Sequence, residues 1–383
     1  MSKVKVGVTG YSGFIGSHLI DRLSRESNII IIHIEDSSFK IPQELKELIG
    51  QCDCIVHLAG MNRGDENEIY STNVSLVNTL LTGIGDTGKK LHLIFASSIL
   101  TEIDPSPLDS VHTAFVRAKI ESISIMEAWA RRSGSTLSVL TIPNVFGDRC
   151  KPFYNSVVAT FCYQLTHGEQ PKIIEDREIE LIYINELAEE IYSIIKAPPK
   201  GVDKVRIQGT KNIKVSSILS ILENFRDCFF TKRIVPSMPE VFCSNLYNVF
   251  LSYVDYAQLE YSPKINSDQR GDLFEILKLA DGGQVFFSTT KPGIIRGNHY
   301  HTRKMERFCV IQGLACIRLR RIGTKEIIEY KLDAKKPMFV EIPIFHTHHI
   351  ENTGESDLYT LFWCNELFDP ADPDTYPEEV IQS

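Results

Sequence analysis

A doubly wound parallel α/β sheet followed by an all-β barrel is the architecture this chain predicts, and three features of the sequence carry that reading. The N-terminal stretch KVKVGVTGYSGFIGSHLI reads as a buried strand, a glycine-rich turn and the start of a helix. Beyond about Arg270 the helix-and-strand rhythm gives way to short alternating strands separated by turns, which is the pattern of a barrel. Within that second region His299, His301 and Glu306 fall at spacings that two neighbouring strands can bring to one point, because side chains alternate faces with period two.

A length of 383 residues suggests two or three domains with ample volume for a core. A net charge of −8 and a pI near 5.8 argue against a nucleic-acid partner, which needs a clustered basic surface. No segment stays apolar for the ~18 residues of a membrane span, and MSKVKVGVTG enters a strand without a signal-peptide pattern, so a cytoplasmic enzyme with no membrane partner is expected. The nine cysteines are odd in number and sit mostly in apolar runs, as packed, reduced thiols do; Cys52-x-Cys54 has no second pair with which to hold zinc.

In the first half, Gly10, Gly13 and Gly16 supply backbone that can approach a pyrophosphate, with helix N–H groups aimed at it. Set between a strand and a helix, Thr9-Gly10-x-x-Gly13-Phe14-Ile15-Gly16 resembles the Rossmann-like fingerprint of the extended short-chain dehydrogenase/reductase family. The second strand ends in Glu35-Asp36, about 20 residues past Gly16. A carboxylate there grips a ribose diol and repels a 2′-phosphate, which favours NAD over NADP; the plain alternative is a solvated strand end. Strand 54–60 carries Leu58, Ala59 and Gly60 to the cofactor edge, with Asn62-Arg63 just beyond and Asn73 entering the covering helix.

Strand 91–98 ends in Ser98, which by the resemblance bonds the reacting oxygen. The family then has Tyr-x-x-x-Lys, the tyrosine as acid and the lysine lowering its pKa while holding the ribose. This chain reads Phe115-Val-Arg-Ala-Lys119, so the phenol oxygen is missing and C4 hydride chemistry should be severely slowed. A deliberate Tyr-to-Phe substitution and a naturally disabled reductase both remain open. Farther on come a helix at 120–132, a strand at 136–140, Asn144, and a helix opening behind Lys151 and Asn155. The resemblance implies that Asn62, Arg63, Asn144, Lys151 and Asn155 meet the nucleotide sugar. Residues 182–188 predict a strand and a helix capped by Asn185, 212–227 a further helix, and 236–268 a substrate lobe plus linker. Domains of 1–262 and 263–383 follow.

In the second half, strands are predicted at 284–289, 308–311, 315–321, 326–332, 338–342 and 358–363. The blocks Gly293-x5-His299-x-His301-x4-Glu306-x6-Gly313 and Pro343-x4-His348-x3-Asn352 resemble the paired motifs of the cupin superfamily, a jelly-roll barrel. A lone strand histidine is more often a hydrogen-bonded core residue than a ligand, but four ligands at matching offsets favour a metal, zinc or another divalent transition ion. Phe345 stands where the second block usually has Gly, which predicts a remodelled turn. Arg296-Gly-Asn-His299 resembles the Arg-Gly-x-His of cupin-fold sugar-nucleotide epimerases, with Tyr300, Lys304, His346 and His349 as candidate proton carriers.

With CKPFYNSVVATFCY, KPGIIRGNHYH and NELFDPADPDTY, the whole chain resembles the bifunctional capsular polysaccharide and O-antigen enzymes of UDP-N-acetyl-L-fucosamine biosynthesis. That resemblance implies C3 epimerisation of a UDP-2-acetamido-2,6-dideoxy-4-keto-hexose in the cupin domain. It further implies C4 reduction with NADPH or NADH to a UDP-2-acetamido-2,6-dideoxy-L-talose, in a homodimer. A non-catalytic sugar-nucleotide-binding scaffold or sensor with a metal cupin is the alternative.

Overall fold

A computed structural model describes residues 3–102 and 110–382. The first half alternates β1 (Val4–Thr9), α1 (Phe14–Leu23), β2 (Ile29–Ile34), α2 (Pro42–Gln51), β3 (Cys54–His57), α3 (Glu66–Thr87), β4 (His92–Ser98), α4 (Ser110–Ser133) and β5 (Thr136–Ile142). It continues through β6 (Asn144–Phe146), α5 (Val157–Thr166), β7 (Glu178–Tyr183), α6 (Ile184–Lys196), β8 (Val202–Arg206), β9 (Lys211–Lys214), α7 (Val215–Arg226) and α8 (Val241–Ser252). Six parallel strands run in the order β2-β1-β3-β4-β5-β8, beside a small sheet β6-β7-β9. Both faces of the parallel sheet are covered. Leu93 and Phe95 of β4 pack under α2, α3 and α4 with Leu45, Val77, Leu80 and Met126, while Ile94 packs under α1 and α6 with Leu19, Leu187 and Ile191. This is the Rossmann-like fold, and strands buried on both sides are why they read as near-continuous apolar runs.

The second half is all β: β10 (Asn266–Asp268), β11 (Gly271–Lys278), β12 (Gln284–Thr290), β13 (Ile295–Tyr300), β14 (Glu306–Gln312), β15 (Leu314–Arg321), β16 (Ile327–Asp333), β17 (Phe339–Ile342), β18 (His346–Asn352), β19 (Leu358–Cys364) and β20 (Tyr376–Pro377). They form two sheets, β10-β11-β12-β19-β14-β17 and β16-β15-β18-β13-β20, the two walls of a cupin barrel. Phe308, Val310, Ile317, Leu319, Val340 and Ile350 fill the space between them.

Contacts group Met1–Leu222 with Glu240–Val254 as one compact unit and Glu223–Pro239 with Asp255–Ser383 as another, against the expected single division after residue 262. Other local expectations are corrected. The segment 236–268 holds the helix α8, whose Phe242, Leu246, Val249 and Phe250 are buried at helical spacing. The expected helix from Asn212 starts only at Val215, after the short strand β9. Asn185 lies inside α6; the residue before that helix is Tyr183, whose backbone N–H donates to the Glu186 carboxylate at 3.4 Å.

At Phe345 the turn is not remodelled away from a glycine-like shape. Its φ is 57°, its N–H donates to the His301 carbonyl at 2.7 Å, and its ring is 46% exposed. A left-handed conformation costs a residue with a Cβ about 1–2 kcal/mol. Phe345→Gly should therefore raise stability by up to about 1 kcal/mol after the extra backbone entropy of glycine is subtracted, as read by chemical denaturation. A clear loss of stability would mean that the ring packs in a way its exposure does not suggest.

Candidate functional site

The nucleotide edge is built around β1 and the start of α1. Gly10 has φ 63°, and a Cβ on it would lie 2.7 Å from the Ala59 nitrogen; one on Gly16 would lie 2.2 Å from the Gly10 carbonyl oxygen. Only hydrogens fit at these two positions, which is the physical content of the motif. Gly13 precedes α1, so Phe14 and Ile15 are its first residues and their end of the helix has unpaired N–H groups. The Thr9 hydroxyl accepts from Leu58 N and Ala59 N at 3.1 Å each and lies 2.8 Å from His57 Nδ1. Two accepted bonds leave its proton for the imidazole, so His57 is neutral with its hydrogen on Nε2. Asn73 is buried and bonds both the N–H and the carbonyl of Met61, and a Cβ on Gly60 would strike its side-chain oxygen at 2.6 Å. Asn73 therefore shapes the loop that carries Leu58 to Gly60.

Glu35 follows β2 and reaches the glycine loop: Tyr11 donates to its carboxylate at 3.4 Å, and Ser37 at 3.5 Å. Asp36 opens the following 3-10 turn. If Glu35 faces a ribose, NADH should bind at least as tightly as NADPH. Calorimetric titration of each cofactor tests this, and clear selection of NADPH would sink the carboxylate argument.

On the neighbouring strand and helix, Lys119 is 8% exposed and donates to the Ala96 carbonyl at 2.8 Å. Its amine lies 4.5 Å from the centre of the Phe95 ring and 5.5 Å from that of Phe115. Burial pushes this amine down to about 8. Phe115 and Lys119 thus meet one helical turn apart, and Ser98 ends β4 two residues past Ala96, its hydroxyl accepting from Leu100 N at 3.2 Å. The side chain of His112, another conceivable donor, lies outside the described residues.

Four of the five expected sugar-nucleotide residues cluster. Arg63 donates to the Asn155 side chain at 3.0 Å and to the Tyr154 carbonyl, Tyr154 donates to Asn62, and Lys151 sits 5.8 Å from the Tyr154 ring. Asn144 stands apart, tied to the Glu180 carbonyl at 3.1 Å.

In the barrel, His299, His301, Glu306 and His348 bring one ligand atom each to within 4.8 Å of one another. The arrangement depends on a bulge. Arg296 pairs with Ile350 and His299 with His348, but the register slips between Gly297 and His299, with Asn298 at φ 60°. Without that extra residue Arg296 and His299, three apart, would face opposite sides; with it both face the barrel interior. The second nitrogen of two ligand rings is already engaged: His301 Nδ1 with the Asp374 carbonyl at 2.5 Å, and His348 Nδ1 with the His346 carbonyl at 3.3 Å. Each Nδ1 must donate, leaving the Nε2 lone pairs aimed inward.

His301 Nε2 and His348 Nε2 lie 3.4 and 2.9 Å from Glu306 Oε2, and all three atoms are buried with no hydrogen-bond partner among the described residues. Unsatisfied buried polar atoms each cost about 1–3 kcal/mol. A divalent cation would satisfy all three at once, so the residues present fit the metal implied by the motif. Burial pushes His299 down to about 4, as a ligand that must stay neutral requires.

A cavity of about 190 Å³ opens on this set and is also lined by Arg296, Arg270 and Phe308. Arg296 is anchored by Thr290 Oγ1 at 3.2 Å and the Thr289 carbonyl at 3.0 Å. The other candidates are held elsewhere. Tyr300 stacks on Tyr376 at 5.3 Å, Lys304 is buried and donates to the Pro373 carbonyl at 2.7 Å, and His346 Nδ1 bonds the Ile344 carbonyl at 3.0 Å. His349 borders the cavity as well, with its ring held by Asn298 Oδ1 at 2.9 Å and Arg318 at 3.4 Å. Sequence reading missed Arg270, Asp374 and the role of Asn298; the Gly-Asn pair before His299 was the one local signal, since Asn tolerates a left-handed backbone.

Fold and site together define a dinucleotide-binding enzyme scaffold followed by a barrel with a candidate metal site. The chain belongs to the NAD dependent epimerase/dehydratase family, which matches residues 6–207, and residues 266–376 match the polysaccharide biosynthesis C-terminal domain. It is 32% identical over 380 residues, 97% of this chain and 98% of the relative, to UDP-2-acetamido-2,6-beta-L-arabino-hexul-4-ose reductase of Pseudomonas aeruginosa. Among solved structures it resembles the capsular polysaccharide assembling protein CapF of Staphylococcus aureus, with TM-score 0.85 and 33% identity over 98% of this chain and 100% of that one. A UDP-N-acetylglucosamine 4-epimerase from Bacillus cereus, 17% identical with TM-score 0.54 over 68% of this chain and 99% of that one, shares the fold.

Proposed function

We propose that the chain is a nucleotide-sugar enzyme of surface-polysaccharide synthesis acting on a UDP-linked 4-keto-6-deoxy amino sugar. In this reading the barrel domain epimerises C3 of a UDP-2-acetamido-2,6-dideoxy-4-keto-hexose. The N-terminal domain reduces C4 toward a UDP-2-acetamido-2,6-dideoxy-L-talose, slowly as written. The observation that carries it is the near-full-length likeness to a hexul-4-ose reductase, combined with a barrel pocket that joins a metal set to Arg296.

A proton at C3 is removable only because the neighbouring ketone delocalises the resulting charge. Arg296, fixed by Thr289 and Thr290 at the cavity wall, would offer a guanidinium to that developing charge. His299, His301, Glu306 and His348 would hold a divalent metal, whose positive charge would help to stabilise an enolate. Tyr300, Lys304, His346 and His349 are the candidates for the proton carrier, and of these His349 borders the cavity.

In the N-terminal domain a nicotinamide cofactor, when bound, supplies the hydride. Ser98 would hold the C4 oxygen, Lys119 would hold the ribose, and the Asn62, Arg63, Lys151 and Asn155 cluster would meet the UDP sugar. Incubating the protein with the UDP-4-keto sugar in deuterated water tests the epimerase reading: deuterium should enter at C3. Intact binding without exchange would favour a non-catalytic scaffold instead.

A further inference from the structure

The last stretch of the chain grips the strand that carries His299 and leads into His301. Tyr376 and Pro377 pair with Tyr300 and His299, extending the sheet by one short strand. Glu378 N donates to the Asn298 carbonyl at 3.0 Å, which pins the bulge that turns Arg296 and His299 to the same side. Arg320, 2% exposed, anchors this stretch from beneath through the Val380 carbonyl at 2.9 Å and the Glu378 carboxylate at 2.7 Å.

Asp374 is the centre of the grip. It is 2% exposed at φ 42°, a backbone shape that a residue with a Cβ adopts only when its surroundings impose it. Its carboxylate accepts from the backbone N–H groups of Thr302, Arg303 and Lys304 at 3.1, 3.0 and 2.9 Å, and from the Thr302 hydroxyl at 2.6 Å. Four donors on one carboxylate lock the turn that follows His301, and in the same stroke bring the Asp374 carbonyl to His301 Nδ1. The side chain fixes the turn and the main chain reads the ring, so the two functions of this residue cannot be moved independently.

We infer that Asp374 is a positioning residue of the metal centre: by clamping the turn after His301 it holds that ring in the Nδ1–H form, with the Nε2 lone pair directed at the other three ligands. It never touches metal or substrate. The inference rests on the metal reading above and extends it to a segment 73 residues away. Ligand-orienting partners of this kind typically change metal affinity by ~10–100-fold.

The test uses the full chain, with zinc or cobalt titrated against a competing chelator. Asp374→Ala should weaken metal binding by about 10–100-fold. Asp374→Asn, which keeps an accepting oxygen for Thr302 but turns an N–H₂ toward the backbone donors, should fall between. Because Asp374→Ala could disturb folding of the barrel, a second measurement is made on the unmodified metal-free chain: the ring ¹⁵N shifts of His301 should report a hydrogen on Nδ1.

A bare Nδ1 there would overturn the proposal, as would unchanged affinity in a folded Asp374→Ala variant. If the unmodified chain takes up no metal, the metal reading fails, while the ¹⁵N measurement still decides whether Asp374 orients the ring.

Discussion

Phe115→Tyr should raise the oxidation of NADH or NADPH in the presence of the UDP-4-keto sugar by ~10²–10⁴-fold, the range that a positioned general acid typically contributes. Ser98 and Lys119, the other residues proposed for the reductase site, are present at the end of β4 and on α4. Lys119 is buried against Ala96 and the Phe115 ring, with its amine lowered to about 8, so a phenol at 115 would sit beside the cation that lowers its own pKa. Adding one oxygen to a half-buried ring requires little rearrangement. Deuterium exchange at C3 should not change, because the residues proposed for it lie in the other compact unit. If the unmodified chain already oxidises the cofactor at an ordinary enzymatic rate with this sugar, another group delivers the proton. Tyr154, bonded to Asn62 in the sugar-nucleotide cluster, would be the first to examine.

Replacing His299 and His301 together by Ala should abolish binding of the single divalent metal ion expected per chain, zinc first among the candidates. Two of four ligands are lost, and Glu306 keeps only His348 at 2.9 Å as a partner. A buried carboxylate that loses its compensating groups is strongly destabilising. The variant should therefore melt lower than the unmodified protein, and added zinc should no longer raise its Tm. Elemental analysis showing full stoichiometry in that variant would reject the site. Removing metal from the unmodified protein with a chelator should shift its Tm downward, as loss of any ligand that binds only the native state must.

The elements legible in the sequence were those whose cause is local. The glycine loop could be read because Gly10 and Gly16 leave no room for a Cβ, and only one residue type meets that demand. The metal set could be read because a period of two puts His299 and His301 on one side of a strand. Six of the eleven strands described in this half, β12, β14, β15, β16, β17 and β19, were found to within two residues of their ends for the same reason, whereas β10, β11, β13, β18 and β20 were not delimited. What escaped depends on contacts distant in sequence or on a competing local signal. Asp374 meets His301 across 73 residues, and nothing near it announces that its carboxylate will be wrapped by three backbone N–H groups. The helix α8 carries a clear apolar stripe, but Pro236 and Pro239 and the polar stretch after Tyr261 hid it within what read as a linker. Phe345 misled in the other direction: the expected preference for glycine was real, and the surrounding bonds to His301 and Ile322 impose the turn on a residue that does not favour it.

The bond between Thr9 and His57 carries a consequence for acid tolerance. The hydroxyl that organises Leu58 and Ala59 gives its only proton to His57, so this imidazole can accept a second hydrogen only by breaking that arrangement. Burial, and after it the nearby Lys119 cation, push His57 from 6.5 down to about 3. The unfolded chain, by contrast, takes up a proton at this ring near 6.5. Above that pH the ring is neutral in both states and folding is indifferent to it. Between about 6.5 and 3 the unfolded state alone gains the proton, so stability falls by up to about 1.4 kcal/mol for each unit of acidification. The price of a loop shaped by a neutral histidine is a dinucleotide-binding half that holds its form at neutral pH and yields early in acid.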